Sequence, residues 1–181
     1  MNKYKLPKEY EWVRAETGPR IFVEAVKLLG VTETPGPANN PTIMQWAKAS
    51  GLAKAYTADI IPWCALFSTY VTLQAGFDPP SMPLWALNWK DFGQPAPDGI
   101  PMLGDWLVKE RKGGGHITMY AGESDRYYYC LGGNQNDMVT IRTYPKSDFK
   151  YFRRCKWRIN QPAQVRRVYL TAKGTLANKE D

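Results

Sequence analysis

A chain of 181 residues is long enough for one domain with its own core and too short for two comfortable ones. Apolar residues at 44% and seven tryptophans exclude a disordered chain outside the ends and call for a core or cleft with large flat walls. The formal charge of +7, with basic residues gathered after Arg142 in "YFRRCKWRINQPAQVRRVYLTAKG", favours polyanionic surroundings, whether nucleic acid, anionic lipid or an acidic wall polymer.

The N-terminal stretch "MNKYKLPKEYEWVRAETG" lacks the continuous apolar run of a signal peptide, and no stretch approaches the ~18 apolar residues of a membrane span. The expectation is a chain made in the cytoplasm. In "PRIFVEAVKLLG", Ile21, Val23, Ala25, Val26, Leu28 and Leu29 form an apolar face at helical spacing, which Gly30 ends. "VTETPGPANNPT" reads as a loop, and "TIMQWAKASGL" as a short second helix with Thr42 near its cap. From Trp63, "WCALFSTYVTLQAG" predicts a buried helix ending at Gly76, with Cys64 in its first turn.

Asp78 to Pro101 is rich in Pro and Trp, with a short helix in "LWALNWKDFG"; a loop of this length is more often a functional wall or lid than a mere connection. Beyond it, "GDWLVKER", "HITMYAGES", "RYYYCLGGNQ", "MVTIRTYP" and "FRRCKWRI" are short β-branched and aromatic segments divided by turn residues, which predicts an antiparallel meander. Helices first and strands afterwards give an α+β domain with N-terminal helices packed on a C-terminal antiparallel sheet. Residues 160–181 read as a polar, basic tail, loosely ordered.

Three cysteines, Cys64, Cys130 and Cys155, form no even disulfide framework and no CxxC, so at least one thiol stays free or pairs outside the chain. Cys64 stands at a helix start, where unpaired N–H groups and the helix dipole lower a thiol pKa. A buried structural cysteine fits the same position. His116 is the only histidine, preceded by three glycines and followed by a strand pattern, and is the one candidate for a neutral-pH general base. A surface histidine at a strand edge is the plainer reading of that residue alone.

Thiol, imidazole and an oxygen-bearing side chain together make a known solution for acyl transfer. For the third group, strand alternation favours Asn134, with Gln135 pointing oppositely; "GGNQND" also reads as a turn. One histidine and no clustered Cys/His ligands argue against a zinc amidase, and no metal or other cofactor is expected.

"IPWCALF", "LNWKDFGQP", Gly104–Asp105, "GGGHITMYAG" and "LGGNQNDMVTI", in this order, resemble the NlpC/CHAP superfamily of papain-like cysteine peptidases, and among them the phage and prophage cell-wall hydrolases with PWC, GGGH and GGNQ signatures. "GVTETPGPANNP" resembles the N-terminal signature of that group, and the likeness runs over residues 22–144. The resemblance implies a papain-like core, a nucleophile at Cys64, a base at His116 and a polar third residue at Asn134, cutting amide bonds of peptidoglycan stem or cross-bridge peptides. With the polar lead-in over 1–20 and the basic tail over 160–181, this sets a cysteine peptidase domain over 21–159. Trp63, Gln135, Asp59, Glu33 and Trp85 are candidate cleft residues for substrate, with packing or capping as the alternative for Trp63, Asp59, Glu33 and Trp85.

The expected partner is bacterial peptidoglycan, met by a monomer after holin-dependent or secretion-dependent release, with an immunity protein where the chain is an antibacterial effector. Nucleic acid is not expected, because no nucleic-acid motif accompanies the basic tail. Two rivals stand beside this reading: a wall-binding or nucleic-acid-binding module with an inert cysteine, and an acyltransferase on the same fold.

Overall fold

The computed structural model describes residues 6–176. Three α-helices precede all six strands of the sheet, as the order of patterns predicts. The first, α1, spans Arg20–Val26 and buries Ile21, Phe22 and Ala25; its chain then turns to Gly30, whose φ of 89° closes the segment where a glycine was expected to. The second, α2, spans Pro41–Ala49. Its cap is Asn40, whose side chain accepts from the Thr42 N–H at 2.7 Å with Pro41 in the first turn, so Thr42 is the residue served by the cap.

The third helix, α3, spans Cys64–Gln74 and is apolar nearly all round. A helix of that kind has to be central. Its buried Ser68 and Thr69 hydroxyls donate to the carbonyls of Cys64 and Ala65, one turn back, which satisfies them without outside partners. Aromatic rings lock it in place. Trp46 of α2 stands 5.9 Å from Trp63 and 6.0 Å from Phe67, Phe67 meets Trp106 edge-on at 6.4 Å, and Trp106 meets Trp89 at 5.4 Å.

The sheet has six strands, all paired antiparallel: β1 Gln94–Pro95, β2 Trp106–Arg111, β3 Gly114–Glu123, β4 Tyr127–Gly132, β5 Thr140–Pro145 and β6 Tyr151–Arg154. Their order is β1-β6-β2-β3-β4-β5. The expected meander therefore holds from β2 to β5 and stops there, because β6 crosses back to pair with β2 and the short β1 closes that edge. A buried ion pair fixes the crossing: the Arg154 guanidinium, at the end of β6, donates to both oxygens of Asp105, just before β2, at 2.8–3.1 Å. The architecture is α+β, with N-terminal helices packed on an antiparallel sheet.

Strand alternation divides the apolar residues. Trp106, Val108, Ile117, Met119, Leu131 and Ile141 face the helices in the main core, and Leu107, Tyr120, Tyr128, Cys130 and Phe149 form a smaller cluster on the other face. The C-terminal segment is not loose where it is described. Residues 160–176 bury Val165, Val168 and Leu170 and exchange backbone hydrogen bonds with Leu103 and Glu123. Arg167 and Lys146 both pair with the buried carboxylate of Glu123, so part of the basic character of this segment is spent internally. The lead-in joins it: a 3-10 helix over Lys8–Arg14 buries Val13, and the Trp12 indole donates to the Gly174 carbonyl at 3.1 Å. Among the described residues, no helix is long and apolar enough to cross a membrane.

Candidate active site

Cys64 is the first residue of α3, directly after Pro62 and Trp63, and His116 lies near the start of β3. The two approach through the backbone. The N–H of Ile117, the residue after the histidine, donates to the Cys64 sulfur, as do the N–H groups of Ala65 and of Cys64 itself. Sequence reading expects a helix start to lower the thiol pKa. Instead, burial dominates and pushes it above the ordinary value, with the three N–H groups and the charge of Arg111 opposing. Cys64 is 4% exposed and His116 5%.

Burial also pushes the His116 imidazole down, to about 4, against the hydrogen bond to Gln135 that favours its charged form; Lys109, Arg111 and Arg142 push it further down. Both shifts have the same consequence. The resting pair is a neutral thiol and a neutral imidazole.

The partner of that imidazole is Gln135, whose Oε1 lies 3.3 Å from His116 Nε2. Asn134 was the expected orienter, and the geometry gives the contact to its neighbour. The reason is local. β4 ends at Gly132, and Asn134, Asn136 and Asp137 all hold left-handed backbone, with φ of 53°, 56° and 57°. Two-residue alternation therefore does not continue past the strand, and the turn decides which side chain faces the histidine. The loop also presses close to its neighbours: a Cβ on Gly133 would stand 2.6 Å from Phe67 Cβ, and one on Gly132 2.5 Å from Thr118 Oγ1.

The orientation of the Gln135 amide follows from its other bonds. Its Nε2 donates to the carbonyls of Cys130 and Thr140, at 3.2 and 2.6 Å, so Oε1 is the end turned toward the histidine. A carbonyl oxygen can only accept. His116 Nε2 therefore carries the proton, and Nδ1 is left with its lone pair. Thr118, two residues beyond His116 on the same face of β3, lies within hydrogen-bond reach of Oε1 at 3.1 Å. The hydroxyl of Tyr144 on β5 donates to Oε1 at 3.1 Å and sits 3.4 Å from His116 Nε2. Neither residue was singled out from the sequence; the two-residue spacing marks Thr118, and nothing local marks Tyr144.

The other candidates fall into two groups. Trp63 is fully buried, and its indole N–H donates to Glu33 Oε1 at 2.6 Å rather than facing a cleft. Asp59 is also buried. Its Oδ2 accepts from the N–H groups of Thr34 and Asn40, bracing the loop before α2. Glu33 is half-buried on the segment that pairs with the 137–139 loop. Burial raises the pKa of its carboxyl, aided by the nearby charges of Asp137 and Asp59, against the bond from Trp63. Trp85 is 68% exposed, just before the 3-10 helix Ala86–Asp91 that realises the short helix expected there, and Leu87 of that helix packs over Gly115, beside His116, where an added Cβ would stand 2.6 Å from Leu87 Cδ2.

All three cysteines are free and buried. Among the described residues, no group of three or more His, Cys, Asp or Glu is gathered as a metal ion would need.

No family model matches the chain, and no curated protein matches it. Solved structures similar to it include Rv1477, a hypothetical invasion protein of Mycobacterium tuberculosis, at 15% identity and a TM-score of 0.44, covering 83% of this chain and 65% of that one. A mutated form of the Resuscitation Promoting Factor Interacting protein RipA gives the same four figures. The P60 domain of the antigen MAP1272c of M. avium paratuberculosis is 13% identical, with a TM-score of 0.41, covering 81% of this chain and 95% of that domain. The chain spans less than two thirds of the length of the first two.

Proposed function

We propose that this chain is a peptidoglycan hydrolase that cleaves an amide bond of a stem or cross-bridge peptide through a thioester on Cys64. The observation that carries the reading is the bond between Gln135 Oε1 and His116 Nε2, made by an amide whose other end is fixed, because it leaves Nδ1 as the basic nitrogen beside the strand that touches the sulfur. Nδ1 removes the thiol proton as sulfur attacks the scissile carbonyl. The resulting imidazolium keeps its Nε2–H on Gln135. The N–H groups of Cys64 and Ala65, already turned to the sulfur, are the donors best placed for the oxyanion that forms there. The imidazolium then protonates the leaving amine, and the same nitrogen activates water to release the acyl group.

The substrate class rests on the motif resemblance and on charge. A chain of net +7 is drawn to an anionic wall, an effect that weakens as salt rises. Glu33 is the acidic group proposed to meet a substrate amine, and the exposed Trp85 is proposed as an apolar contact for the peptide.

The test is release of soluble peptides from purified sacculi. The Cys64→Ala and His116→Ala variants are expected to release none above background, and mass spectrometry of the products identifies the bond cut. Undiminished release by either variant excludes this mechanism.

A further inference from the structure

The reaction as proposed uses Cys64, His116 and Gln135, and leaves unexplained Tyr144 of β5, whose hydroxyl reaches both His116 Nε2 and Gln135 Oε1. We infer that Tyr144 is a positioning residue that holds His116 in its Nε2–H tautomer. The inference rests on the hydrolase reading only for its effect on turnover.

A hydroxyl has one proton and two lone pairs. The Tyr144 proton goes to Gln135 Oε1, at 3.1 Å. Its lone pairs are then the groups facing His116 Nε2, at 3.4 Å. The Nε2–H is shared between two oxygens, Gln135 Oε1 at 3.3 Å and the phenol oxygen, and neither can accept from it if the proton moves to Nδ1. Flipping the tautomer would set the Nε2 lone pair against the Gln135 carbonyl, and the phenol could then meet Nε2 only by turning its proton away from Gln135. Burial, the larger effect on the phenol, raises its pKa to about 12, so it remains a protonated donor through the neutral range.

The ring of Tyr144 is itself held in register. It packs edge-on against Phe149 at 5.7 Å and carries the Lys109 ammonium over its face at 4.2 Å. Lys109 is the cross-strand neighbour of His116 and is tied to Asp148 at 2.9 Å. A cation over the ring is an attraction that survives removal of the hydroxyl. Phenylalanine at 144 therefore keeps the packing and the cation and removes only the oxygen.

That separation gives the experiment. His116 is the only histidine, so its ring resonances in 15N-labelled protein need no assignment. Wild type is expected to show one tautomer, with a pyridine-like Nδ1 and a pyrrole-like Nε2. In Tyr144→Phe the two nitrogen shifts are expected to move toward each other as the second tautomer becomes populated, while kcat on sacculus-derived peptides falls by about tenfold and KM stays within about twofold. Unchanged nitrogen shifts in Tyr144→Phe overturn the inference, whether or not kcat falls, since a loss of turnover would then come by another route. Altered shifts in a protein whose wild-type form releases nothing from sacculi would uphold the tautomer control and sink the hydrolase reading instead.

Discussion

Gln135 faces His116 with its oxygen and the carbonyls of Cys130 and Thr140 with its nitrogen, so one amide joins the imidazole to the ends of β4 and β5. A side chain held at both ends loses little entropy when it orients a third group, which distinguishes an orienter from a neighbour that merely touches. Replacing Gln135 with Ala is expected to lower kcat by about 10–100-fold with little change in KM, because the ring then samples both tautomers. Asn134→Ala is expected to stay within about twofold of wild type. Steady-state rates on a purified muropeptide compare the two. The reverse ranking would return the role to Asn134.

The neutral resting pair makes a prediction about the thiol. Burial raises Cys64 and depresses His116, so neither is charged in the range from about pH 5 to 8. Alkylation of Cys64 by iodoacetamide is expected to rise steadily with pH through this range and to run slower than for a free thiol. Cys130 and Cys155, both raised by burial, are expected to contribute less than Cys64, and the Cys64→Ala variant measures their background. A reactive plateau below pH 7 would mean a thiolate–imidazolium pair and would contradict the burial argument.

Much of this was legible in the sequence. The apolar run after Trp63 defined α3 and put Cys64 at its tip, and the alternation from "HITMY" onward set β3 with His116 at its start. Two things were not legible. The exchange of Asn134 for Gln135 depends on the left-handed backbone of Asn134, Asn136 and Asp137 after Gly132, a conformation that strand alternation does not encode. Tyr144 reaches the site only because β5 pairs with β4, and β6 leaves the meander because Arg154 finds Asp105, 49 residues away. Contacts at that separation are fixed by tertiary packing rather than by local pattern.

That ion pair should be among the costliest to break. Arg154 and Asp105 are each 2% exposed at the side chain, and burial lifts Asp105 to about 6 even against the guanidinium. Removing one partner strands the other charge. Arg154→Met is expected to cost about 3–5 kcal/mol of unfolding free energy at pH 7, measured by urea denaturation. Adding Asp105→Leu to it is expected to recover part of the loss, since the uncompensated carboxylate goes too. A single variant within about 1 kcal/mol of wild type would show that the crossing of β6 does not depend on this contact.

His116 carries a pH signature in stability. Its folded pKa of about 4 lies below the ordinary 6.5, so between those values the unfolded chain binds a proton that the folded chain refuses. The contribution is present above pH 6.5 and is lost as pH falls through 4, with a full size of about 3 kcal/mol. Asp105 works in the opposite direction, since its raised pKa makes its contribution largest below 3.8 and lost as pH rises through about 6. The difference between wild type and His116→Gln cancels the Asp105 effect. Wild type is expected to lose more stability than the variant between pH 7 and pH 4, and parallel curves would contradict the depressed imidazole.

The final prediction separates the two duties of Glu33. Its Oε1 accepts from the Trp63 indole at 2.6 Å, a bond that positions the residue next to Cys64, and its charge is the part proposed to meet a substrate amine. Glutamine keeps an acceptor for the indole and removes the charge. Glu33→Gln is therefore expected to leave folding and kcat near wild type and to raise KM about tenfold for a muropeptide with a free amine, the loss of one charge-assisted hydrogen bond. Acetylating that amine should raise KM for the wild type to a similar degree and add nothing in the variant, because the same interaction cannot be lost twice. Additive losses would place the amine elsewhere and leave Glu33 as a brace for Trp63.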